Sequence, residues 1–127
     1  SLNILNRIYD EMERENIFFI DENQVNPDQE NFLKNYFIEK VNPSLETLIK
    51  SGEQTEDLSD NKAFIIVTMD LVNDSKPNRL FALIEIPKDA KRFVVLPKKE
   101  DGKQYVMMLD DLIRYNFNII FNFWINF

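Results

Sequence analysis

Two short apolar runs, each closed by a proline, constrain this chain more than anything else in it. Leu80-Phe81-Ala82-Leu83-Ile84-Glu85-Ile86 runs into Pro87, and Arg92-Phe93-Val94-Val95-Leu96 runs into Pro97. Proline has no amide hydrogen to give to a strand ladder, so each one marks a strand end. Upstream, Ala63 to Val72 is rich in β-branched residues and reads as a long strand. Asn73-Asp74-Ser75-Lys76-Pro77-Asn78 supplies turn chemistry, so residues 79–86 are expected to return beside it as a hairpin. Residues 93–96 make a third strand. Gln104 to Met108 makes a fourth, across the charged turn Lys98-Lys99-Glu100-Asp101-Gly102-Lys103.

Helical patterning precedes and follows this block. Leu2, Leu5, Ile8, Tyr9 and Met12 recur at three- and four-residue spacing, which puts them on one face of a helix over residues 2–15. Ile17-Phe18-Phe19-Ile20 is too short for a helix and reads as a brief buried strand or extended link. Asn26-Pro27-Asp28-Gln29 starts the next helix: asparagine caps, proline suits the first turn, and glutamine sits at the capping-box position. Phe32, Leu33, Tyr36, Phe37 and Val41 form its stripe, and Asn42-Pro43 ends it, because the residue before proline leaves helical geometry. Residues 44–50 continue as a short segment with Leu45, Leu48 and Ile49 packing inward, and residues 51–62 read as a polar, acidic loop. Asp110 or its neighbour is expected to cap one last helix, with Leu112, Ile113, Phe117, Ile120 and Phe121 on its buried side. Helices set apart from hairpins read as α+β: one sheet of four to five strands, antiparallel or mixed, with helices on one side, in a single domain of residues 1–127.

Composition removes whole classes of chemistry. There is no histidine, the commonest general base, and no cysteine for thiolate or zinc-thiolate work. Two glycines are too few for a phosphate-cradling loop. A net charge of −7 opposes binding to nucleic acid, whose phosphates need a cationic face. No apolar run approaches the roughly 20 residues of a membrane span. The absence of cysteine suits a cytoplasmic chain.

The order of these elements resembles the middle, or head, domain of the long bacterial polyphosphate kinases. Residues 8–20 are similar to that family's helix leading into a short strand, with Asn16 where glycine is usual. Gln29 to Leu45, carrying Asn35-Tyr36-Phe37 and Val41-Asn42-Pro43, looks like its second helix and exit. Asp60 to Met69 is similar to its first long strand, and Phe81 to Phe121 to its hairpin and closing helix. The family's Pro-Phe-Pro-like approach to the long strand is missing from residues 51–60. The resemblance implies a parent enzyme that reversibly transfers the terminal phosphate of ATP to polyphosphate through a phosphohistidine, with magnesium. It also implies a cytoplasmic homodimer, with a peripheral place at the inner membrane face left open. This domain would be a non-catalytic support for the active-site tunnel, in contact with flanking domains, and no catalytic residue carries over. The alternative is a stand-alone acidic α+β module that binds a protein partner. A small carboxylate enzyme would have to work with Asp, Glu, Lys and Tyr alone.

Four clusters come into question as sites. Lys91, Arg92, Lys98 and Lys99 could face a polyanion such as polyphosphate or ATP if they converge, although loop lysines commonly only guard a sheet edge. Asp110-Asp111 could be a carboxylate pair, but the ordinary role of such residues is to offset the dipole of a helix start. Asp57, Asp60, Asp70 and Asp74 lack the alternating spacing of a calcium loop. Phe121, Phe123, Trp124, Ile125 and Phe127 are unusually apolar for a chain end and are expected to contact a flanking domain or partner.

Overall fold

The computed structural model describes residues 2–51, 62–73 and 76–125. Among them run six strands in two three-stranded sheets, with four α-helices. The chain divides into two compact units, one built from Ser1–Glu39 with Lys91–Phe127 and the other from Lys40–Ala90.

In the first unit, helix α1 (Leu2–Arg14) leads through a tight turn into β1 (Ile17–Ile20). Asn16 makes that turn with φ of 63°. This is the left-handed region that glycine reaches freely and asparagine tolerates, which explains why this position suits either residue. Strand β1 pairs in parallel with β6 (Gln104–Met108), and β6 pairs antiparallel with β5 (Phe93–Val95), giving the order β1-β6-β5. The pairing begins one residue before β1, since the Gln104 amide donates to the Asn16 carbonyl at 2.8 Å.

Helix α2 (Pro27–Tyr36) begins as the sequence requires: the Asn26 amide donates to Gln29 Oε1 at 2.9 Å, and Pro27 opens the first turn. Its end differs from the expected single helix running to Asn42-Pro43. The α-helix stops at Tyr36, and a wider π-type turn, Phe37–Val41, runs into a 3-10 turn over Asn42–Ser44. Leu33 and Phe37 are fully buried, so the expected stripe holds.

The expected last helix is two helices, α3 (Leu109–Tyr115) and α4 (Phe117–Ile125). Asn116 breaks them. It is buried, its amide donates to the carbonyls of Leu112 and Ile113, and its own carbonyl accepts from Ile119 and Ile120. Its side-chain nitrogen donates to Leu112 at 2.9 Å and to Leu33 in α2 at 3.5 Å. Nor does an aspartate cap α3: the cap position is Met108, and Asp110 and Asp111 lie inside the first turn. Ile20, Leu33, Val94, Met107, Leu112 and Ile113 are among the residues that make the core of this unit.

The second unit is an antiparallel sheet in the order β2-β4-β3, from β2 (Glu46–Ser51), β3 (Phe64–Asn73) and β4 (Lys76–Glu85). The β3–β4 hairpin pairs along its full length, from Asn73 with Lys76 to Phe64 with Glu85. Ile65, Ala82 and Ile84 are buried on one face, while Leu48 and Ile66 are exposed on the other. The segment expected to pack Leu48 inward is thus a strand whose pleat turns Leu48 outward. The α+β class holds, and the strands are divided between two sheets rather than gathered into one.

Two side chains carry the local geometry of the first unit. Asn16→Gly is expected to leave urea-unfolding stability nearly unchanged, whereas Asn16→Val lowers it by about 1–2 kcal/mol through the left-handed backbone. Asn116→Leu is expected to cost about 1–3 kcal/mol in the same measurement, because it removes a buried donor from two carbonyls.

Candidate functional site

The clearest basic site is built where the β5–β6 turn meets the start of α2. The turn is closed by its own backbone: Gly102, at φ of 85°, donates to the Lys99 carbonyl at 2.9 Å, and Lys99 donates to Lys103 at 3.1 Å. The Lys103 amide donates to Asp101 Oδ1 at 2.9 Å, and the Gln104 side-chain amide donates to the Leu96 carbonyl. This geometry holds Lys98 and Lys99 against the first turn of α2. Together with Asp28, Gln29, Phe32 and Pro97 they line a cavity of about 220 Å³.

Lys99 is committed on both sides. Its Nζ lies 2.7 Å from Asp28 Oδ2 and 5.5 Å from the centre of the Tyr105 ring. The hydrogen bond to Lys99 holds the Asp28 carboxyl below its usual range, and the same bond pushes the Lys99 ammonium up. Gln29 is buried. Its Oε1 closes the capping box while its Nε2 has no hydrogen-bond partner among the described residues.

Of the four predicted polyanion-facing residues, the structure brings Lys98 and Lys99 together and leaves Lys91 and Arg92 elsewhere. Lys91 and Arg92 are exposed at the opposite end of β5, beside the start of α3, where the Arg92 carbonyl accepts from the Leu109 amide at 2.8 Å. Strand β5 (Phe93–Val95) lies between the two pairs, which stand beyond its opposite ends.

Phe121 is buried against Phe117, with ring centres 5.7 Å apart, and so belongs to the core of its own unit. The backbone of Phe123, Trp124 and Ile125 continues α4, but their side chains and Phe127 lie outside the described residues. So do Asp57, Asp60 and Asp74, while Asp70 pairs with Arg79 at 2.9 Å on the hairpin.

A second cavity, of about 330 Å³, was not foreseen. Tyr9, Glu13, Phe19, Asp21, Met108 and Asp111 are among the residues that line it. Burial pushes the Asp111 carboxyl up to about 6, reinforced by its hydrogen bond with Glu22 and the charges of Glu22 and Asp21; Arg114, 3.2 Å away, opposes the shift. Sequence spacing offered no sign of this cluster, because its acids come from three separate segments.

Among the described residues no group of acids is arranged to hold a metal ion, and no helix is long and apolar enough to cross a membrane.

The family model described as the polyphosphate kinase middle domain matches residues 28–125. The chain is 34% identical over 115 residues to a polyphosphate kinase of Vibrio parahaemolyticus, covering 87% of this chain and 16% of the relative. It is 29% identical over 122 residues to that of Escherichia coli K12, covering 93% and 17%. It thus spans about one-sixth of the length of these relatives. The crystal structure of polyphosphate kinase from Porphyromonas gingivalis shares the fold with a TM-score of 0.71 at 24% identity, over 92% of this chain and 20% of that one.

The raised Asp111 carboxyl makes stability depend on pH. Its folded pKa lies above the unfolded value of 3.8, so its favourable contribution is complete below pH 4 and is lost as pH rises towards about 6. Asp111→Asn is expected to raise the melting temperature at pH 7.5 and to change it little at pH 4, flattening the profile between.

Proposed function

The chain belongs to the polyphosphate kinase family, matching its middle domain, and on that premise we propose that it is a non-catalytic part of a larger phosphotransferase. In this reading the whole enzyme moves the terminal phosphate of ATP reversibly onto polyphosphate through a phosphohistidine. One observation carries the assignment of the chemistry to other parts of the polypeptide: these 127 residues contain no histidine. The ATP and magnesium sites then belong to flanking domains, and this domain supports the active-site tunnel and contributes to a homodimer in the cytoplasm.

Lys98 and Lys99 are the residues assigned to a passing polyphosphate, because they share one cavity beside the positive end of the α2 dipole. Their charge is partly spent, since Asp28 holds Lys99. The expected interaction is therefore weak and sensitive to salt. Lys91 and Arg92 form a separate exposed pair that serves the same chemistry only if another domain lies along β5.

The test is direct. The purified 127-residue chain, given labelled ATP, magnesium and a polyphosphate primer, is expected to yield no phosphorylated protein and no polymer growth. Labelled polyphosphate made by the chain alone, or an acid-labile phosphate on it, overturns the reading.

A further inference from the structure

The Gln29 side chain is engaged at one end only. Its Oε1 accepts from the Asn26 amide at 2.9 Å, and the Gln29 backbone amide donates to the Asn26 carbonyl at 2.9 Å. These bonds fix which way the carboxamide lies, because turning it over would set Nε2 against another donor. Nε2 is therefore the end left for the cavity of about 220 Å³ that Gln29 helps to line. Gln29 is only 4% exposed, and Nε2 has no partner among the described residues. Native structures seldom leave a buried amide donor unpaired, and an occupant that brings an acceptor removes the cost.

Charge and shape select that acceptor. Lys98 and Lys99 bring two positive charges to the cavity and Asp28 one negative charge, 2.7 Å from Lys99. One net positive charge remains, and it lies with exposed Lys98, which has no ion-pair partner among the described residues. A monoanion balances this wall. The rest of the lining is apolar: Phe32, Leu96 and Pro97. A phosphate spreads its charge over three or four oxygens and would set some of them against carbon without a donor. A carboxylate has two oxygens, one for each free donor, and a stem for the apolar wall. The adjoining cavity around the same two lysines is lined otherwise by Asp28, Glu100 and Asp101. Repulsion there grows with the charge of the ligand, which favours a single charge over several.

We propose that this cavity binds a short-chain monocarboxylic acid in its ionised form. One carboxylate oxygen accepts from Gln29 Nε2 and the other from Lys98 Nζ, while the hydrocarbon stem lies against Phe32, Leu96 and Pro97. A glutamate side chain carries the same group, but a cavity of this volume encloses a small free acid whole, whereas a peptide buries only one side chain there. The site rests on Gln29 and does not depend on the phosphotransferase reading. Acid and polyphosphate draw on the same Lys98, so the acid competes with any polymer bound there.

The test is a proton–nitrogen NMR titration of the 127-residue chain at neutral pH and constant ionic strength, read at the Gln29 side-chain amide. Butyrate is expected to shift this signal saturably. Butyramide, its neutral isostere, should bind at least about tenfold more weakly, since the charge-assisted bond to Lys98 is lost. Inorganic phosphate and a blocked Gly-Glu-Gly peptide should each bind several-fold more weakly than butyrate. Gln29→Glu keeps the oxygen that closes the capping box and replaces the donor by a second carboxylate oxygen. It should abolish butyrate binding, read at the Lys98 and Lys99 backbone amides, with the remaining spectrum unchanged. Lys98→Gln, at an exposed position, should weaken butyrate several-fold. Equal binding of butyrate and butyramide overturns the proposal, as does undiminished binding to the Gln29→Glu chain or no shift at Gln29. Tighter binding of phosphate would make this a phosphate site, and tighter binding of the peptide would assign it to a protein side chain; either overturns the free acid as occupant.

Discussion

The parallel pairing of Ile17–Ile20 with Gln104–Met107 is the contact on which the first unit depends. It joins two stretches separated by more than eighty residues of sequence, and loop closure over that distance has an entropic cost that local contacts do not. The cost is met by what the pairing assembles. Strand β6 brings β5 with it and delivers α3 directly from its last residue, so Ile20, Val94, Met107, Leu112 and Ile113 become one core. Asn16 makes the approach possible, because its left-handed backbone turns α1 into β1 at the register in which the Gln104 amide donates to the Asn16 carbonyl.

The polar positions of this unit show how burial redirects ordinary side chains. Asn116 would be a weak helix residue anywhere else, yet buried between α3 and α4 it satisfies backbone groups of two helices and of α2. Asp111 would be an unremarked first-turn acid, yet Asp21 and Glu22 arrive from the end of β1 and crowd it. Lys99 would be a solvated loop lysine, yet the closed β5–β6 turn sets it on Asp28 and Tyr105. In each case the residue's chemistry is standard, and its neighbours across the unit give it a role.

That pattern separates what could be read from the chain from what could not. The start of α2 was legible because Asn26, Pro27 and Gln29 act on one another within a single turn. The β3–β4 hairpin was legible because its turn residues and its two apolar runs are adjacent. The break at Asn116 was not, since the apolar spacing of residues 112–121 continues through it and the Asn116 side chain reaches Leu33, 83 positions away. The convergence of Lys91, Arg92, Lys98 and Lys99 was an open question in the sequence, and three residues of β5 were enough to part the two pairs. The exposure of the α1 stripe was not legible either, because periodicity shows that a helix has an apolar face but not what lies against it.

By itself the sequence determined the α+β class, most of the elements, the absence of histidine chemistry, and the resemblance to the polyphosphate kinase middle domain that the family match bears out. These depend on residue type and on spacings of a few positions, which act locally. The tertiary structure alone decided that the strands divide into two sheets and that acids from three segments gather at one cavity beside an open apolar helix. Those outcomes depend on which distant strands pair and in what register, and pairing energy is a property of surfaces brought together rather than of any one segment.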